Sequence, residues 1–466
     1  LTPVHIKNDL QQLSDHRVRQ VNYDEIYPNK ELTYGETGIL NVLNLAFYPE
    51  ERGPYNVDTE IDKDGKLLHP EKRWGGMMRS MDVTNFENAN YEYIEFWLMD
   101  PFATADKGSY LENEGGELYF NLGEISEDIL KDGMKSFENG LDINGDDSQI
   151  IETVWGHVSK RSSTVYAFDN TTDTHKAQDV GLDGLSDTKE KTFSTYRNYV
   201  EIIKDKVDGS VLSKWNNDPY SPINDPAGDN FHYYRGSDYD EAETSILDRY
   251  KYFTGVDGNS PATADSKESY STAAKATPDV EDINIDNTLN EYERYFQYRI
   301  PLRKGEMEVG KNFISSITEA NVLLRNGERT TVKWYQFKIP LKEYQKRVGS
   351  IQNFKSIRFM RIFMTGWKKE QILRLATLEL VRSDWRTYTA SSLADRGHAV
   401  VGTGQVATST VNIEENAGSV PVNYVLPPGV DRVVDPGQST STLLNEQAMA
   451  MTVTNLEPHD AVAVYK

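Results

Sequence analysis

The residues best placed to do chemistry lie in one short acidic stretch, Asp179-Val-Gly-Leu-Asp183-Gly184-Leu185-Ser-Asp187-Thr-Lys-Glu190. Its carboxylates fall at positions one, five, nine and twelve of a twelve-residue loop, the spacing at which an EF-hand wraps oxygen ligands around calcium. Gly184 stands where such a loop turns sharply, and Leu185 offers a backbone carbonyl at the next position. The third position is Gly181, so one side-chain ligand is missing. A plainer reading fits the same residues: an Asp-Gly turn leading into a helix, with Asp187 as N-cap and Glu190 as its capping-box partner. The helix expected to follow suits both. A second acidic loop, Asp142-Ile-Asn144-Gly-Asp146-Asp147, also alternates oxygens suited to a hard cation. Its distal carboxylate, Glu152, is out of register, and an Asn-Gly hairpin turn is the simpler account. Asp279–Asn287 is a third acidic stretch and reads as a solvated loop.

No catalytic set stands out. The eight His never take the HExxH form, and there is neither a G-x-S-x-G elbow nor a phosphate-binding glycine loop. Glu92 and Glu95 invite comparison with a glycosidase carboxylate pair. Three residues apart in a strand, they point to opposite faces. Trp74, Trp367 and Trp385 would stack on sugar rings if exposed, although a Trp flanking a strand is more often core or rim. With no Cys, disulfides, thiolate zinc sites and cysteine nucleophiles are excluded.

Short strands must position these residues. In Tyr292–Ile300, Tyr292, Arg294, Phe296, Tyr298 and Ile300 point one way and Glu293, Gln297 and Arg299 the other, the signature of a half-buried strand. Tyr91–Met99 is apolar on both sides and is therefore expected to be covered on both. A weak internal repeat organises such strands. One copy holds Ile39–Pro49, Asn85-Phe86, Tyr91–Asp100 and Glu117–Ile125. A second holds Leu289–Pro301, Asn353-Phe354, Ser356–Met364 and Ile372–Val381, and a third begins at Leu444. The pattern predicts a mainly β chain of tandem jelly-roll-like sandwiches, of the galactose-binding or carbohydrate-binding-module type, interrupted by a partly helical acidic insertion. The expected divisions are a connecting segment (1–31), a first sandwich (32–138), the insertion (139–278), a second sandwich (279–390), a linker (391–410) and the start of a third β-domain (411–466). Helices are expected over Asp187–Asp208 and Asp238–Phe253.

Composition agrees with several domains built on strands. The chain has 466 residues, 11% of them aromatic, including 27 Tyr. Its net charge of −23 repels nucleic acid and anionic headgroups. No apolar run approaches the length of a membrane helix. The first residues lack the features of a signal peptide, and the last read as a strand cut short, so both ends are expected to be internal to a longer polypeptide.

Several of these segments together resemble the SprA/Sov family: Leu45–Asn56, Arg73–Met81, Tyr93–Pro101, Gly116–Lys131, Gln178–Leu185, Asn287–Tyr298, Phe354–Trp367, Ala376–Tyr388 and Val411–Val430. They span nearly the whole chain from about Leu32. The resemblance implies an internal soluble portion of the outer-membrane translocon of the type 9 secretion system, a very large β-barrel required for protein secretion and gliding. It implies as partners the rest of that polypeptide, a PorV-like shuttle protein, a periplasmic plug protein and secreted cargo with a C-terminal secretion domain. The expected place is the outer membrane or cell surface, on the extracellular side rather than the periplasmic one. The family supplies no catalytic residues, and no cofactor is required beyond candidate Ca²⁺. The rival expectation is a carbohydrate-binding or adhesive surface module, and a glycan-active enzyme ranks last.

Overall fold

The structure is a computed structural model. It describes residues 3–32, 35–103, 114–130, 132–135, 137–141, 147–160, 164–169, 171–252, 258–260, 276–278, 280–382, 386–387, 404–434, 442–458, 462 and 464–465. The chain is mainly β. Ten strands build its centre: β1 (Val42–Phe47), β2 (Trp74–Ser80), β3 (Tyr91–Met99), β4 (Gly115–Glu124), β5 (Arg294–Arg303), β6 (Ile314–Leu323), β7 (Arg329–Pro340), β8 (Lys346–Val348), β9 (Phe359–Thr365) and β10 (Gln371–Arg382). They form two five-stranded sheets, ordered β6-β7-β3-β10-β1 and β8-β5-β4-β9-β2, and every pairing is antiparallel.

The two repeat copies do not make two sandwiches, as the sequence suggested; they interleave into one. β1 and β3 of the first copy flank β10 of the second, while β5 and β9 of the second flank β4 of the first. Each copy lends its third strand to the other. Consequently none of β1 to β4 hydrogen-bonds to another strand of that group. The two Asn-Phe pairs meet: the Phe86 amide donates to the Phe354 carbonyl at 2.9 Å, and the Phe354 amide donates to the Glu87 carboxylate at 3.2 Å. The repeat is real, but it describes two halves of one core rather than two domains.

That core follows from the period-two pattern. Ile94, Phe96 and Leu98 of β3 face Leu118, Phe120 and Leu122 of β4 in the opposite sheet. Phe96 lies 5.5 Å from Phe120 across the sandwich and stacks at 5.0 Å on Phe337, its partner in the ladder. Each such ring contributes about 1.5–3 kcal/mol by burial. In β5, Phe296, Tyr298, Ile300 and Leu302 are buried, whereas Arg299 is exposed and pairs with Glu117 at 2.7 Å. The half-buried reading of this strand holds, with Tyr292 left exposed just before the strand begins.

β3 is covered on both faces, as expected. On its outer side Trp97 and Met99 pack with Trp334, Val332 and Ala376, and with Val21 and Ile26 of the N-terminal segment. Residues 3–31 are therefore a lid on the sheet rather than a connector. Arg19 and Glu25 form a buried ion pair at 2.7 Å, and Arg374 of β10 donates to the His16 and Arg19 carbonyls. Two further strands, β11 (Gln405–Asn412) and β12 (Gln447–Thr454), pair with each other. β11 starts inside the stretch expected to be linker. The turn after it seats Glu415 against the Trp97 indole N–H at 3.1 Å, and Val420 exchanges backbone bonds with Ile317 of β6.

The insertion carries six α-helices among its described residues: α1 (Thr172–Gln178), α2 (Asp187–Glu190), α3 (Ser194–Lys204), α4 (Gly209–Asn217), α5 (Ser237–Glu241) and α6 (Ile246–Tyr252). The helix expected over Asp187–Asp208 breaks between α2 and α3, and that over Asp238–Phe253 breaks between α5 and α6. α3 buries Tyr196, Tyr199, Val200 and Ile203, an amphipathic stripe at helical spacing. No helix among the described residues is long and apolar enough to cross a membrane.

Candidate metal centre

The acidic stretch singled out in the sequence lies at the heart of the insertion, and it is buried. Asp183 is 2% exposed and Glu190 is fully covered. The loop places Asp183, Asp187 and Glu190 together, but it does not close on itself as an EF-hand would. Asp179 turns away, accepting from the Ser260 amide and hydroxyl and pairing with His175. Leu185 is core, packed with Tyr55, Leu182, Tyr196 and Ala227, and its amide donates to Asp183 Oδ1 at 2.9 Å.

The remaining acidic groups come from a second loop, Asp225-Pro-Ala-Gly-Asp229-Asn, which sequence reasoning missed. Asp225 folds this loop into a turn by accepting the amides of Gly228, Asp229 and Asn230. The Ala227 amide donates to Glu190 Oε2 at 2.7 Å, and the Asn230 side chain donates to both oxygens of Asp187 at 2.9 and 3.1 Å. The Tyr55 hydroxyl links the loops, donating to Asp229 Oδ2 and accepting from the Leu182 amide. Asp187 is thus not the N-cap of α2. Ser186 occupies that position, and Glu190 bonds across to the 225–230 loop instead of back to the helix start.

Gly181 accounts for the gap in the calcium-loop pattern. Its φ is +85°, and a Cβ there would stand 2.1 Å from Asp229 Oδ2. Asp229 therefore fills, from another segment, the space that a third-position side chain would take.

Two triads result, Asp183–Glu190–Asp229 and Asp187–Glu190–Asp225. In each, one oxygen from every residue lies within 4.8 Å of the others, and Glu190 belongs to both. Burial pushes the Asp183 and Glu190 carboxyls well above the ordinary carboxylate range; the charges of Asp225 and Asp187 add to it at both, and that of Asp183 adds to it at Glu190. Burial also raises Asp187 and Asp225. All donors are oxygens, so the arrangement suits a hard cation and lacks the nitrogen or sulfur ligands typical of zinc.

The other candidates fare differently. Asp142, Asn144 and Asp146 lie outside the described residues, as does Trp385. Trp367 is buried, packed so closely on Gly116 that a Cβ there would come within 2.2 Å of the indole. Trp74 is 74% exposed on β2. Glu95 pairs with Lys338 at 2.9 Å and accepts from Gln336, a structural role. A cleft of about 680 Å³ lies apart from the carboxylates, lined by Tyr93, Arg299, Asn312, Lys338, Gln345 and Thr408 among others.

The fold and site thus define a β-sandwich scaffold bearing an acidic, buried centre in its insertion. The family model described as motility related/secretion protein, SprA_N, matches residues 198–466, more than half of the chain, and the chain belongs to that family. The match includes Asp225 and Asp229 and begins after Asp183, Asp187 and Glu190. No curated protein matches the chain.

Proposed function

We propose that this chain is a non-catalytic structural portion of the large outer-membrane protein-conducting channel of the type 9 secretion system. In this reading it belongs to an extracellular cap that roofs the pore and leaves a lateral exit. The observation that carries the reading is the family match over residues 198–466, which includes six of the ten sandwich strands in full, β5 to β10, and Glu415, the acceptor of the Trp97 indole N–H. The fold supports it: the polar strand faces of the scaffold are tied into ion pairs such as Arg299–Glu117 and Arg361–Glu293. The net charge of −23 keeps the surface hydrophilic toward passing cargo. Its partners would be the rest of the translocon polypeptide, a PorV-like shuttle, a periplasmic plug protein and cargo with a C-terminal secretion domain.

The exposed indole of Trp74 favours a second reading, a carbohydrate-binding or adhesive module. Photo-crosslinking separates the two. A photoreactive residue is placed at exposed Trp74 or Ile285 of the full-length protein in its native envelope. Capture of secreted cargo or of a shuttle protein is the expected result. Capture of neither, together with retention of the chain on surface polysaccharide that Trp74→Ala abolishes, would replace the channel reading with the adhesive one.

A further inference from the structure

We propose that Asp183, Glu190 and Asp229, with Asp187 and Asp225 beside them, form a buried calcium site that ties the 183–190 segment to the 225–230 loop. The ligand set differs from the EF-hand pattern of the sequence, because it omits Asp179 and recruits two residues from a distant loop. The oxygens of each triad lie within 4.8 Å of one another. Calcium binds oxygens at about 2.3–2.6 Å, so ligands on opposite sides of one ion stand up to about 5 Å apart.

The second observation is the state of individual oxygens. Glu190 Oε1 is buried and has no hydrogen-bond partner among the described residues; Asp183 Oδ2 is buried too, and the Tyr196 hydroxyl is the neutral group that reaches the Asp183 carboxyl. Their sister oxygens are each held by a backbone amide, from Leu185 and Ala227 respectively. Each carboxylate is thus clamped on one oxygen and presents the other to the cluster. A buried carboxylate oxygen left without a donor, as Glu190 Oε1 is, is costly, and a cation removes that cost while offsetting the charge of Asp183, which a neutral hydroxyl leaves in place. Among the described residues, basic side chains do not supply the need. Lys191 acts on Asp187 and Arg52 on Asp225, while the Arg52 guanidinium donates to the carbonyls of Asn56, Asp225 and Pro226. Glu190 belongs to both triads, so its carboxylate is placed to bridge two cations or to anchor one.

The test uses the chain stripped with a chelator and titrated with CaCl₂, followed by calorimetry and by melting temperature. Saturable heat and a higher melting temperature in calcium are expected. Glu190→Gln should weaken calcium about 100-fold, since ligand charge count moves the affinity of oxygen sites by decades. The same variant should melt no lower than the parent in chelator, where it removes a buried repulsion, yet lower than the parent in calcium. That reversal distinguishes a lost ligand from a damaged fold. Asp187→Asn, at the less buried edge, should lose only the triad to which it belongs. The proposal is overturned if millimolar calcium gives the parent neither heat nor a melting shift, which would make the cluster a proton-sharing one. It is equally overturned if calcium binds but neither variant weakens it.

Discussion

Gly181 shows how much of the insertion rests on one missing side chain. Its positive φ and its contact with Asp229 leave no room for a methyl group. Gly181→Ala is expected to cost about 3 kcal/mol or more, combining left-handed strain with overpacking. Urea denaturation in chelator would show it without involving any cation. Glu127 is a second residue whose behaviour is set by its surroundings. It accepts the amides of Ile283 and Asn290, and burial nevertheless pushes its carboxyl up to about 7 from 4.5. A carboxyl raised in the fold holds its proton more tightly folded than unfolded. Its contribution is therefore complete below about pH 4.5 and is lost as pH rises through about 7. Stability should fall by roughly 3 kcal/mol across that window relative to Glu127→Gln. Paired denaturation curves at about pH 5 and about pH 8 would measure the difference. A larger loss at the acid end in the parent would contradict the assignment.

At the scale of elements, the exchange of third strands dictates what can fold alone. β1 to β4 find every ladder partner in the second half: β1 on β10, β2 on β9, β3 on β7 and β10, and β4 on β5 and β9. A fragment of residues 32–138 therefore has no strand pair available from this sheet arrangement and should be unfolded by circular dichroism and by amide dispersion in NMR. The 279–390 fragment retains only the β6–β7 and β5–β8 pairs, with one face of each exposed. Co-expressed, the two fragments should recover strand signal and copurify. Independent folding of the 32–138 fragment would show that its strands can adopt a different pairing.

For the whole molecule, charge and topology set the behaviour. A net charge of −23 places the folded chain under self-repulsion that salt screens. In chelator, raising NaCl from about 20 mM to about 300 mM should raise the melting temperature by about 2 °C, on the order of 1 kcal/mol. A fall would mean that the surface ion pairs, such as Arg17–Glu370 and Lys369–Glu50, outweigh the repulsion. The sandwich closes only when residues near 45 meet residues near 373, so folding is expected to be slow.

The sequence by itself determined the strands, the family and the acidic stretch that anchors the site. Alternating apolar residues must bury one face, and that rule is local, so β3 covered on both faces and β5 half-buried could be read from residue types alone. The Asn-Phe pairs and the repeat were legible for the same reason. Tertiary structure decided what the repeat meant, because pairing between strands hundreds of residues apart leaves no periodic trace in either one. It also decided the site. Asp225 and Asp229 share the first-to-fifth step of a calcium loop, but Asn230, Tyr233 and Gly236 follow where its turn glycine and later ligands would stand; only the contact of their turn with Gly181, Tyr55 and Glu190 brings them beside Asp183. Asp179 had the right spacing and the wrong neighbours, since Ser260 and His175 hold it elsewhere. Spacing constrains residues on one segment, whereas the burial that makes these carboxylates unusual arises only where two segments close on each other.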